Sequence, residues 1–325
     1  MNSNKIIKIV PYFGKLPNFW PIYLKSLEKQ SQHLDLLFVT DIVLKQEDLP
    51  ANVKVLKCSM DEYFETIEQK INVKMEHRNP YKTCDLKPML GFLFSEHIKS
   101  YAYWAFGDID LIYGNLHRYI RGPIAEGYDV ITFREDWASG VLTIIKNTPE
   151  NNALFKDSPD YKMVLESNKN YAFDECAVKY SLLREGYTVE EAYNAHLPGD
   201  IVCYTTVINR AAQKNKIKLF MRYYIKESLP FNEILKYENG KIIGGGDQEY
   251  ALYHLVYHKK FAKNIIPQWS TIPDSYYITT TGLYSPIQFR WYHITKIIRT
   301  MYGFFVDRKK WAKDMLNYRL GLTKK

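Results

Sequence analysis

The chain has 325 residues, 46% hydrophobic and 25% charged, the values of an ordinary globular protein long enough for one large α/β domain or two small ones. Between Gln288 and Lys325 ten basic residues face only Asp307 and Asp314, so the net charge of +8 resides in that tail and the rest is balanced, which excludes a uniformly basic nucleic-acid binder. Four scattered cysteines (Cys58, Cys84, Cys176, Cys203) signal neither a zinc site nor a disulfide framework, and no signal-peptide core or membrane-length apolar run occurs, so a cytoplasmic location is expected.

In chain order, Lys5 to Val10 reads as a first strand that stops at Pro11-Tyr12-Phe13-Gly14. A helix is predicted over Pro17 to Gln32, with Trp20, Leu24 and Leu27 on one face, followed by a buried strand over Asp35 to Val39 that ends in Thr40-Asp41. Val53 to Leu56 gives a third strand and Met60 to Ile71 a second helix. This alternation predicts an α/β fold with a mostly parallel central sheet and helices on both faces. Asp85 to Ile98 has a helical pattern, with Pro88 in the first turn, where a missing amide hydrogen costs little. The nearly all-apolar run Tyr101 to Gly107 reads as a central strand breaking into Asp108-Ile109-Asp110. Further strands are expected at Asp129 to Phe133 and Val141 to Ile145, and a helix at Phe173 to Arg184. Strand Lys241 to Ile243, a Gly244-Gly245-Gly246 turn and an aromatic run over Tyr250 to Tyr257 follow. The expected division is a catalytic domain over residues 1–265 and an aromatic, basic, helical appendage over 266–325.

In open parallel sheets ligands bind at the carboxyl ends of the strands, where this sequence has Tyr12, Phe13, Asp41 and the Asp108–Asp110 run. Two carboxylates one residue apart at a strand end can share a divalent cation with phosphate oxygens, because Mg²⁺ or Mn²⁺ takes few carboxylates and keeps positions for phosphate or water. Asp174-Glu175 offers carboxylates able to accept a hydroxyl proton, and Asp174 fits a helix cap equally well. Trp137 offers a ring for a sugar to stack on, and Ser139-Gly140 permits close approach of an acceptor.

The blocks Tyr81-Lys82-Thr83-Cys84-Asp85-Leu86-Lys87-Pro88 and Trp104-Ala105-Phe106-Gly107-Asp108-Ile109-Asp110-Leu111-Ile112-Tyr113-Gly114-Asn115-Leu116, after Pro11-Tyr12-Phe13-Gly14, resemble a bacterial family of GT-A-type glycosyltransferases associated with surface polysaccharide biosynthesis. The resemblance spans roughly residues 5 to 260. It implies a UDP-sugar or similar nucleotide-sugar donor, Mn²⁺ or Mg²⁺ as cofactor, and a glycan or lipid-linked saccharide acceptor. By position it also implies that Tyr12, Phe13, Asp41, Lys82, Asp85, Lys87 and Asp108 contact the donor, and that Asp108, Asp110 and His254 hold the metal. A lysine six residues after that histidine, Lys260, would touch the diphosphate, with His258 as the alternative ligand.

The tail mixes Phe289, Trp291, Tyr292, Ile297, Phe304 and Phe305 with its cations, a composition suited to an anionic membrane surface on the inner face of the cell membrane. A helix packed on the catalytic domain with a solvated basic face is the other reading. Two further functions share some of these features. A sugar-phosphate nucleotidyltransferase would need a glycine-rich, lysine-bearing N-terminal loop, where only Gly14-Lys15 is present. A non-catalytic carbohydrate- or membrane-binding protein would leave Asp85, Lys87, Asp108 and Asp110 as coincidence.

Overall fold

The computed structural model describes residues 5–175, 200–230, 233–256 and 269–291, with residues 182, 185–188, 191–192, 195, 258 and 267. In chain order the strands are β1 (Ile6–Pro11), β2 (Leu34–Thr40), β3 (Val53–Lys57), β4 (Tyr103–Gly107), β5 (Leu111–Tyr113), β6 (Val130–Thr132), β7 (Leu142–Lys146) and β8 (Leu219–Met221). They continue as β9 (Ile225–Lys226), β10 (Leu235–Glu238), β11 (Lys241–Ile243), β12 (Glu249–Tyr250), β13 (Leu252–His254), β14 (Ser275–Thr279) and β15 (Gly282–Tyr284).

A seven-stranded sheet in the order β3-β2-β1-β4-β7-β6-β8 forms the centre. It is mixed: β7 runs antiparallel to both β4 and β6, while the other pairings are parallel. The mostly parallel expectation thus holds except where β6 feeds β7 through a short loop, and a short connection can join only antiparallel neighbours. Strand alternation sends Ile7, Ile9, Trp104 and Phe106 into one core and Ile6, Val10, Tyr103 and Ala105 into the other. Both sheet faces are therefore covered, which is why β1 and β4 are apolar but for Lys8.

The first core packs the helix Met60–Ile71 and the segment 83–98 on the sheet. Ser59 and Glu62 close a capping box at the start of that helix, so its observed limits coincide with the predicted ones. The single helix expected over Asp85 to Ile98 is instead broken into Thr83–Leu86, a 3₁₀ turn Lys87–Met89, Leu90–Leu93 and Ser95–Ile98. Pro88 supplies no amide hydrogen, and Gly91 lies so close to the Trp104 ring that a Cβ there would be 2.2 Å from it. The predicted first helix is shorter than expected, Trp20–Glu28, and lies in the second core with the helix Leu116–Ala125.

Two smaller sheets complete the body, β12-β11-β10-β14-β15 and β5-β13-β9. β14 and β15, which follow the expected boundary at residue 265, share a sheet with β10, β11 and β12, which precede it. The aromatic run after Tyr250 does not form one strand: β12 ends at Tyr250, β13 at His254, and Leu255 turns. No helix of the described residues is long and apolar enough to cross a membrane. Residues 292–325, which carry most of the basic tail, lie outside the described residues.

Candidate active site

β4 stops at Gly107 because its backbone runs against β7 there. A Cβ on Gly107 would lie 2.2 Å from the carbonyl oxygen of Val141. The chain turns at once, with the Asp108 amide donating to that same oxygen at 3.1 Å. Beneath the turn sits Lys8, a lone lysine in the apolar strand β1, fully buried. Its Nζ donates to the Asp108 carbonyl and, at 3.0 Å, to the Tyr113 hydroxyl. Burial pulls the Lys8 ammonium down to about 7 against the attraction of Asp108, and the nearby Lys87 pushes in the same direction as burial.

The sheet β5-β13-β9 then lines up three side chains. β13 pairs antiparallel with β5, setting His254 opposite Leu111, and the Leu255 amide donates to the Asp110 carbonyl at 2.8 Å. On its other edge β13 runs parallel to β9, with Leu252 opposite Ile225 and Tyr253 opposite Lys226, so the next residues on each strand, His254 and Glu227, are neighbours. His254 Nε2 lies 3.5 Å from Asp110 Oδ1 and Nδ1 lies 3.5 Å from Glu227 Oε1. Burial disfavours the imidazolium, but the carboxylates of Asp110 and Glu227 beside its two nitrogens, with Asp108 nearby, outweigh it and raise the pKa to about 9.

Asp108, Asp110 and His254 each offer one ligand atom within 4.8 Å of the others. Two carboxylate oxygens and an imidazole nitrogen fit a divalent cation such as Mn²⁺ that keeps open positions for phosphate or water oxygens. His258 is differently engaged. Its Nδ1 bonds the Tyr253 hydroxyl at 3.1 Å and its Nε2 bonds the Thr279 carbonyl at 2.8 Å, so both ring nitrogens serve the fold and His254 is the histidine beside the aspartates.

Lys87 links this corner to a second carboxylate group. Its Nζ lies 2.8 Å from Asp108 Oδ1, 3.0 Å from Asp174 Oδ2 and 3.0 Å from the Gly140 carbonyl. Burial would lower the Lys87 pKa, yet Asp108 and Asp174 raise it well above normal, so it stays charged. Asp174 is pushed up to about 7 by burial and the neighbouring Glu175, with Lys87 opposing. Glu175 is raised by burial while its Oε1 accepts from the Gly140 amide at 2.9 Å. The two carboxylates close over Gly140: a Cβ there would be 2.7 Å from Asp174 Oδ2 and 2.8 Å from Glu175 Oε1. Phe173 to Glu175 form a turn, preceded by Ala172 in the left-handed region at φ 49°; of the rest of the helix predicted to Arg184 only residue 182, which is helical, is described. Residues 176–181 lie outside the described residues.

These groups line a cleft of about 1750 Å³ at the carboxyl ends of β1 and β4, together with Tyr12, Phe13, Trp137 and Arg134. Not every residue expected to face a ligand does so. Lys82 and Asp85 do not line the cleft. They form a buried ion pair at 2.9 Å that fastens the segment before Asp174. Asp85 accepts from the Tyr171 amide at 3.1 Å and the Phe173 amide at 3.0 Å, while Lys82 donates to the carbonyls of Val164 and Lys169. Asp41 is exposed and accepts from the Gly14 amide at 3.1 Å, bracing the Tyr12–Gly14 turn, which has Gly14 at φ 95°. Ser139 is fully buried, its amide donating to Thr132 Oγ1 at 2.8 Å and its Oγ accepting from the Val141 amide, so it does not reach the cleft. Trp137 does line the cleft, but the Arg134 guanidinium stacks 3.7 Å from its ring centre and covers one face. Lys260 lies outside the described residues.

Lys8, Arg134 and Glu227 were not legible as site residues. Only Lys8 left a signal, as a cation in an otherwise apolar strand; Glu227 and Arg134 sit in segments with no recognisable motif.

The chain is similar in structure to mouse xyloside xylosyltransferase 1 in its apo form, at 12% identity and a TM-score of 0.37 over 78% of this chain and 97% of that one. It is also similar to galactosyltransferase LgtC in complex with donor and acceptor sugar analogs, at 9% identity and a TM-score of 0.32 over 62% of this chain and 86% of that one. No curated protein matches it in sequence. Residues 8–286 match the model of the family of unknown function DUF6625, and the chain therefore belongs to that family.

Proposed function

We propose that this protein is a metal-dependent glycosyltransferase, moving a sugar from a nucleoside-diphosphate donor to a saccharide hydroxyl. The observation that carries the reading is the convergence of Asp108, Asp110 and His254 in one cleft with the buried Asp174–Glu175 pair, the two groups joined through Lys87. Asp108, Asp110 and His254 hold the cation. When bound, it offsets the charge that grows on the departing diphosphate. Lys87 keeps Asp108 and Asp174 at a fixed separation and brings a positive charge into the cleft. Asp174 and Glu175 take the proton of the acceptor hydroxyl as its oxygen bonds to the anomeric carbon and the bond from that carbon to the phosphate oxygen breaks. Their raised pKa values suit them to this exchange near neutral pH.

The finer parts of the reading rest on the sequence resemblance: a UDP-sugar donor, Mn²⁺ or Mg²⁺, and a glycan or lipid-linked acceptor in surface polysaccharide biosynthesis. So does the anionic membrane surface for the tail. Incubating the full chain with Mn²⁺ and a panel of nucleotide sugars tests the reading. Release of the free nucleotide diphosphate from one donor is expected, lost in Asp174→Asn/Glu175→Gln. No turnover of any donor, with or without added saccharides, contradicts it.

A further inference from the structure

The metal-site reading accounts for one nitrogen of His254 and leaves the other unexplained. Nδ1 is buried and makes no hydrogen bond of good geometry, and the carboxylate facing it is Glu227, with Oε1 at 3.5 Å. A ligating imidazole must carry its remaining proton on the nitrogen turned away from the metal, and an acceptor there fixes both the tautomer and the ring's orientation.

Glu227 is built to be that acceptor. It follows β9, whose parallel register with β13 makes it the neighbour of His254. Its second oxygen, Oε2, accepts from Arg134 Nη1. Arg134 is immobilised in turn: Nε and Nη2 hold both oxygens of Asp136, at 2.8 and 2.9 Å, and the guanidinium lies on the Trp137 ring. A chain of direct contacts thus runs from the Trp137 wall through Arg134 and Glu227 to His254 and Asp110.

We propose that Glu227 is a positioning residue. Anchored by Arg134 through one oxygen, it accepts a hydrogen bond from the Nδ1–H of His254 through the other and so presents Nε2 to a cation shared with Asp108 and Asp110. The inference rests on the metal-site reading above. It adds that the strength of that site is set from the Arg134–Trp137 wall, on the far side of His254 from the aspartates.

Binding of Mn²⁺ alone to the full chain, read by the electron paramagnetic resonance of the free ion, tests this without any turnover. Glu227→Leu is expected to weaken binding on the order of 10- to 100-fold, the usual effect of removing such a partner. Arg134 keeps both oxygens of Asp136 in that variant, so the fold is retained, and an unchanged circular dichroism melt checks it. Glu227→Gln still offers an amide oxygen to Nδ1 and is expected to lose distinctly less. Wild-type affinity in Glu227→Leu overturns the proposal, and so does an equal loss in both variants, which would mean that charge alone matters. Asp110→Ala separates the two levels: if it abolishes Mn²⁺ binding while Glu227→Leu does not change it, the metal site stands and Glu227 has no part in it. If Asp110→Ala binds Mn²⁺ as tightly as the wild type, both ideas fall.

Discussion

At the scale of single residues, His254 is where burial and charge oppose each other most directly. A buried imidazole is ordinarily neutral, but Asp110, Glu227 and Asp108 raise this one to about 9. Its pKa is raised above the unfolded value, so the stability it contributes is complete below about 6.5 and is lost as the pH rises through 9. Metal binding runs the other way, because a ligating nitrogen must first give up its proton. Between pH 7 and 9 the Mn²⁺ association constant is expected to rise by about tenfold per pH unit, levelling above 9, a slope that isothermal titration calorimetry at several pH values measures directly. A pH-independent affinity over that range would mean that His254 does not ligate. Asp108 and Asp110 could be read from the sequence because they lie one residue apart at the end of an unmistakable buried strand. His254, 144 residues from Asp110, was reached only through the family resemblance, and Glu227, 117 residues from Asp110, was not reached at all, because its meeting with His254 depends on a strand pairing that no local pattern encodes.

At the scale of elements, the segment 83–98 shows most clearly how local pattern and tertiary packing part. Its apolar residues Leu86, Met89, Leu90 and Leu93 recur at helical spacing and are all buried, so its helical pattern was legible. Its interruption was not legible, because Gly91 is confined by Trp104 on another strand. The same segment carries Asp85 and Lys87, which resemble the family's acid–base pair: Lys87 reaches Asp108 in the cleft, whereas Asp85 is held in a buried ion pair by Lys82, just before the segment. Asp85→Ala would strand the Lys82 charge and two amides in the interior. A loss of about 3–5 kcal/mol is expected by urea unfolding, the usual cost of breaking a buried pair, whereas exposed Asp41→Ala should stay within about 0.5 kcal/mol. Equal, small effects from both would show that Lys82 and Asp85 face solvent instead. The reversed strand β7 was also hidden in the sequence, since a buried strand has the same composition whichever way it runs.

At the scale of the molecule, two of the three sheets meet around one cleft. The central sheet supplies the Asp108 turn and the floor under it, the small sheet β5-β13-β9 brings Asp110, His254 and Glu227 into register, and the turn at 172–175 closes over Gly140. The βαβ half of this architecture was legible because its strands and helices alternate at short range. The five-stranded sheet was not, because β10 pairs with β14 across some forty residues. What the assembly achieves is a concentration of acidic side chains around Lys87, an arrangement that suits a cation and a phosphate-bearing ligand together better than either alone. Calorimetric titration of UDP into the full chain, with and without Mn²⁺, in wild type and in Asp110→Ala, tests that claim most directly. Binding that requires Mn²⁺ and disappears in Asp110→Ala is the result expected; UDP binding unaffected by either, or no binding under any condition, would contradict it.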